Sequence, residues 1–205
     1  MSKTILAATA ALILAARPAT AQRDDFSKIE VKPTQVAGNV WVLIGAGGNI
    51  GVSAGADGVS VWFNGEEIQI VHVPHGHTDG DSVVFFKGAN VVHMGDQFFN
   101  GMFPFIDRDS GGDVRGYVKN VADMIARVSP GAKIIPGHGA VGTIDDLKKC
   151  HAMLVRTSDI VEDELAKGMT LDEAKKVGLP EEFKPWAGEF ITTERWIETL
   201  YTALK

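Results

Sequence analysis

Apolar and polar positions alternate along the first half of the chain and fall into helical stripes along the second. After a polar stretch at residues 23–35, residues 40–44 (Val-Trp-Val-Leu-Ile) read as a strand, 45–49 as a glycine-rich turn and 50–53 as the returning strand. Ala56-Asp57-Gly58 is a further turn, followed by a strand at 59–63. Asn64-Gly65 is a two-residue hairpin signal, and it leads into the alternating stretch 68–73. Strands at 82–86 and 90–93 flank Lys87-Gly88. The period then changes. Val114, Tyr117, Val118, Val121, Ile125 and Val128 share one stripe, which predicts an amphipathic helix over 113–128 stopped by Ser129-Pro130-Gly131. A short strand at 133–135 follows. Thr143 with Asp146 three residues on reads as the start of a helix that turns Leu147, Cys150, Leu154, Val161 and Leu165 inward. Thr170 and Glu173 form a capping box for a short helix ending near Gly178, and residues 193–204 close the chain as a helix with Trp196, Ile197, Leu200 and Leu204 packed inside. Strands first and helices later predict a layered α/β domain without internal repeats.

The N-terminus has a different grammar. Lys3 precedes an apolar run from residue 5 to 16 interrupted only by Thr9, Pro18 ends it, and Ala19-Thr20-Ala21 offers the small-x-small pattern of a cleaved export signal. A bilayer span needs about 20 apolar residues, which this run does not reach. Residues 1–21 are therefore expected to be a signal peptide, 22–38 an N-terminal extension and 39–205 the folded domain, with a periplasmic or secreted location and no membrane span in the mature chain. A net charge of −6 argues against a nucleic-acid partner. The single cysteine, Cys150, excludes an intrachain disulfide and a cysteine-based zinc site, and reads as a small buried hydrophobe.

Candidate chemistry gathers just beyond three predicted strands, in Pro74-His75-Gly76-His77-Thr78-Asp79-Gly80-Asp81, in His93-Met94-Gly95-Asp96 and in Pro136-Gly137-His138-Gly139. Strand ends are where loops carry function on a rigid scaffold. Imidazole and carboxylate donors suit zinc, and the glycines let backbone pass close to an ion. His77, Asp96 and His138 are the candidate metal ligands, with Asp96 also the candidate catalytic residue. His75, Asp79 and Asp81 are candidates for the cleft or for orienting an imidazole through its other nitrogen. His72, His93 and His151 read as structural. Asp107, Arg108 and Asp109 fall in a loop that a substrate could pass.

These segments resemble the metallo-β-lactamase superfamily of zinc hydrolases. Gly76-His77-Thr78 with Asp81-Ser82-Val83 is similar to its Gly-His-Thr segment, Gly95-Asp96 to its bridging aspartate and Gly137-His138-Gly139 to its late Gly-His. Residues 39–58, including Gly47-Gly48-Asn49, look like its opening hairpin. The resemblance implies a layered αββα sandwich and a zinc-activated water attacking an ester, lactam or thioester of a small-molecule substrate. The family signature H-x-H-x-D-H is absent, since no histidine precedes His72. The resemblance thus implies a domain truncated in its first half, with one zinc ion at most where the complete family holds two. Activity is expected to be impaired, the alternative being a catalytically inactive remnant or deletion variant. A homo-oligomer in which a second copy fills the vacant half of the site is left open.

The export reading predicts that protein recovered from its native host begins at Gln22; an intact mass that still includes residues 1–21 overturns it.

Overall fold

The computed structural model describes residues 32–37, 40–45, 48–55 and 58–205. The expected signal peptide and most of the N-terminal extension lie outside them. Eight strands follow one another edge to edge in chain order: β1 (Lys32–Ala37), β2 (Val40–Gly45), β3 (Gly48–Gly55), β4 (Gly58–Phe63), β5 (Glu66–His72), β6 (Ser82–Phe86), β7 (Val91–Phe99) and β8 (Lys133–His138). Neighbours are antiparallel from β1 to β7, as short turns allow. The β7–β8 pair is parallel, which requires a crossover, and helix α1 (Val114–Arg127) supplies it. Helices α2 (Ile144–Ala166), α3 (Leu171–Val177) and α4 (Thr193–Leu204) complete the mixed α/β domain. Among the described residues no helix is long and apolar enough to cross a membrane.

The helix boundaries follow the chemistry of their caps. Asp113 accepts a hydrogen bond from the Gly116 N–H at the start of α1. Thr143 with Asp146 and Thr170 with Glu173 close reciprocal capping boxes on α2 and α3. The apolar stripes of α1, α2 and α4 meet in one core, where Val83, Phe98, Tyr117, Val121, Leu147 and Leu200 are fully buried. Trp196 stacks on Phe103 with ring centroids 5.6 Å apart and donates its indole N–H to Thr157 Oγ1 at 3.1 Å, so its one polar atom is satisfied inside the core. Cys150 is buried, and burial pushes its thiol up to about 12 against an opposing hydrogen bond from the Phe99 backbone, leaving it an inert packing group.

Three elements depart from the sequence pattern. β1 occupies part of the stretch read as a polar extension. Its residues 34–36 are exposed and its order comes from backbone pairing with β2, such as Lys32 with Ile44, which side-chain polarity does not encode. β7 runs to Phe99, past the expected end at residue 93. Register shifts fall on both sides of the Gly95–Pro136 pair, and pairing resumes at Phe99 with His138. A 3₁₀ helix at Glu181–Trp186 follows Pro180, too short to produce a stripe. On β4, the adjacent side chains of Trp62 and Phe63 both face solvent, at 73% and 65% exposure.

Glu164 is a buried acid on α2 (6% exposed), and burial pushes its carboxyl above the usual range despite Lys167 nearby. Its charged form is disfavoured in the folded chain, so stability is lost as pH rises through the raised folded value. Glu164→Gln is expected to raise the melting temperature at pH 7, with the gain shrinking as pH falls toward about 4.3, the ordinary glutamate value. Thermal melts of both proteins at pH 7 and pH 4 check this.

Candidate metal centre

The carboxylate of Asp96 stands between two imidazoles. His77 Nε2 lies 3.6 Å from Asp96 Oδ2, and His138 Nε2 lies 3.5 Å from Asp96 Oδ1. The three strand-end segments singled out in the sequence thus converge. Parallel pairing of β7 with β8 brings Asp96 beside the Pro136–His138 segment, and Gly137 permits the approach, because a Cβ there would overlap Asp96 Oδ1. Separations of 3.5–3.6 Å are long for N–H···O bonds. They leave room for an ion that both donors of a pair would hold. Among the described residues no three His, Cys, Asp or Glu side chains close on a single point. Asp96 turns a different oxygen to each imidazole, and the set is two two-donor corners sharing one carboxylate.

Behind His77 lies a tight polar knot. Asp81 Oδ1 is 3.3 Å from His77 Nδ1 and accepts the Thr78 hydroxyl at 2.9 Å, while Oδ2 accepts the Thr78 N–H at 2.8 Å and the Gln97 amide at 2.5 Å. Burial alone would raise the Asp81 carboxyl; the hydrogen bonds from Thr78, Gln97 and His77 outweigh it and hold the group below its ordinary value. An ionised Asp81 fixes the Nδ1–H tautomer of His77 and leaves Nε2 free to face Asp96. Gln97 is fully buried, its Oε1 has no hydrogen-bond partner among the described residues, and its amide packs so closely on Gly76 that a Cβ there would overlap it.

Helix α1 grips the same loops. The buried Tyr117 hydroxyl donates to the Asp96 carbonyl at 2.9 Å, Asn120 Nδ2 donates to the Pro74 carbonyl at 2.8 Å, and the Asp113 N–H donates to the Gly76 carbonyl at 3.0 Å. Burial, with smaller contributions from Cys150, Asp96 and Asp81, pushes the Tyr117 phenol well above its ordinary value, so it stays a donor. The imidazoles are packed as well as bonded. His138 stacks on Phe99 at 4.7 Å, and His77 meets Phe105 edge-on at 5.9 Å.

Of the remaining candidates, Asp81 takes the orienting role, whereas His75 and Asp79 pair with each other at 3.3 Å on the exposed side of the loop. His72 is tied to the Asp79 carbonyl, and His93 accepts from the Gly95 N–H. His151 is half-buried on α2, where burial lowers its pKa. Asp107, Arg108 and Asp109 line an open cleft beyond Phe105. Sequence reasoning missed Gln97 and Asn120 and took Tyr117 for core alone. The one signal for Gln97 was a polar residue opening the apolar run Gln97-Phe98-Phe99.

Comparison with known proteins follows from these residues. A family model for the metallo-beta-lactamase superfamily matches residues 61–138, the span that ends on His138. No curated protein sequence matches the chain. Among solved structures, the B3 metallo-beta-lactamase BLEG-1 is 22% identical with a TM-score of 0.40, over 46% of this chain and 44% of that one. A metallo-beta-lactamase from Pontibacter korlensis is 9% identical with a TM-score of 0.42, over 61% of this chain and 99% of that one. The stereoselective inverting sec-alkylsulfatase Pisa1 from Pseudomonas sp. is 14% identical with a TM-score of 0.55, over 70% of this chain. The chain spans less than half the length of BLEG-1 and 25% of the sulfatase chain.

Asp81→Ala frees the His77 ring and is expected to weaken zinc binding roughly 10- to 100-fold, with Gln97→Leu weakening it less because Thr78 still holds Asp81. Calorimetric zinc titration of the folded variants provides the measurement.

Proposed function

We propose that this chain, whose residues 61–138 match the model of the metallo-β-lactamase superfamily, is a metal-dependent hydrolase of small esters, lactams or thioesters that works with a reduced metal site. The observation that carries the reading is the Asp96 carboxylate, which offers one oxygen to each of two imidazole Nε2 atoms at 3.5–3.6 Å. His77, Asp96 and His138 would hold the ion. Zinc bound there supplies Lewis acidity toward a carbonyl oxygen and a water of lowered pKa. The chain's own part is positioning: Asp81 keeps the His77 proton on Nδ1, Tyr117 fixes the Asp96 backbone, and Phe99 holds the His138 ring flat. The export peptide read from residues 1–21 directs this activity outside the cytoplasm.

Three donors are the fewest a catalytic zinc takes, here they are divided between two corners of two donors each, and nothing in the sequence replaces H-x-H-x-D-H. That shortage favours a second reading, a folded chain that binds no metal and turns nothing over. Metal analysis separates the two. We expect no more than one zinc per chain, lost in Asp96→Asn because Asp96 serves both corners, together with slow, chelator-sensitive hydrolysis of an activated ester. No zinc uptake supports the second reading. Two tightly held ions with fast turnover overturn both, and point to donors lent by another copy.

A further inference from the structure

On the other side of Phe105 from the candidate centre lies a cleft of about 610 Å³. One wall is the loop from Phe105 to Asp109 and the other is the face of α4 from its cap Thr192 to Thr202, with Lys175 of α3 beside it. Phe105 belongs to both places, since one contact of its ring is His77 at 5.9 Å and another is Phe190 at 5.8 Å. The Asp107 N–H also donates to the His77 carbonyl at 2.9 Å, so the loop and the imidazole move together. Arg195, in the first turn of α4, lies 4.6 Å over the Phe190 ring and 5.8 Å from the Phe105 ring, and its Nη1 donates to the Phe190 carbonyl at 2.9 Å.

The charges in this cleft are unequally satisfied. Lys175 is paired with Glu198 at 2.7 Å, Asp107 is engaged by Ser110 and Glu194 by the Thr192 side chain, and Asp109 also lines the cleft. Among the described residues no carboxylate lies within ion-pair distance of Arg195 or Arg108, and both face the cleft. Phe190 is 64% exposed, an aromatic ring spent on solvent with a guanidinium stacked against it. A ring placed beside Phe105 and Phe190 would cover that surface, and a carboxylate on it would meet a planar guanidinium with donors to spare.

We infer that this cleft is the substrate-holding pocket of the candidate centre, and that it takes a flat aromatic or similarly apolar acyl compound bearing a carboxylate, with Phe105 and Phe190 binding the flat portion and Arg195 the carboxylate. The inference rests on the hydrolase reading for its meaning as a substrate pocket. Its physical content, anion recognition next to His77, can be measured without turnover.

The experiment titrates the full chain with 2-naphthoate and with its neutral counterpart 2-naphthamide, following ligand proton signals by NMR. Naphthoate is expected to bind roughly tenfold tighter than the amide, and Arg195→Gln should remove that preference by taking away a charge-assisted contact. Phe190→Ala removes a largely exposed ring together with its stacking on Arg195 and should weaken naphthoate roughly three- to tenfold, which keeps the test sound if Arg195→Gln unfolds. In protein loaded with Co²⁺, bound naphthoate signals should broaden, because Phe105 touches both the cleft and His77. Equal affinity for acid and amide, absence of naphthoate binding, or affinity unchanged in both variants overturns the inference. Naphthoate binding without cobalt broadening overturns its link to the centre. If no metal binds at all while the Arg195-dependent preference persists, the hydrolase reading falls and the anion site stands.

Discussion

The site depends on buried donors from a helix reaching across to backbone carbonyls at the ends of strands. A loop that leaves a sheet edge has carbonyl groups with no ladder partner, and burying them unpaired costs about 1–3 kcal/mol each. Helix α1 answers this with Tyr117 to Asp96, Asn120 to Pro74 and the Asp113 N–H to Gly76. These bonds satisfy the loops and at the same time fix where the Asp96 and His77 side chains start. The crossover that parallel pairing of β7 and β8 demands is therefore also the element that assembles the chemistry.

The second constraint is that both imidazoles share one carboxylate. A bridging aspartate divides its charge between two corners, and each corner has a single nitrogen donor. The polar knot of Asp81, Thr78 and Gln97 compensates on one side only, by fixing the orientation of the His77 ring. His138 is held by ring stacking and is more than half exposed. The two corners are thus unequal, with the His77 side better oriented and better shielded.

Much of this was legible in the sequence because periodicity and cap chemistry are local. The stripe from Val114 to Val128, the Thr143 and Thr170 boxes and the Asn64-Gly65 turn each state their element within a few residues. The convergence of His77, Asp96 and His138 was readable because each comes after a stretch that patterns as a strand, although Asp96 lies within β7 and His138 ends β8. Gln97 and Asn120 were not readable, since their meaning lies in partners 16 and 46 residues away. β1 escaped for the converse reason, its order residing in backbone pairing with β2. The pairing of His75 with Asp79 was hidden by the loop itself: His75 takes a left-handed backbone conformation, with φ at 53°, and the loop sets it apart from His77 only two residues on.

The face-to-face packing of His138 on Phe99 has a thermodynamic consequence. Phe99 is part of the buried end of β7, so the plane of the imidazole is set when the core forms. The rotational entropy of that ring is surrendered during folding and no longer opposes capture of a ligand. Binding strength at this corner is thereby tied to the rigidity of the hydrophobic interior. Loosening of the sheet end around Phe99, by heat or by a distant cavity, would soften the imidazole before any contact at the site itself had changed.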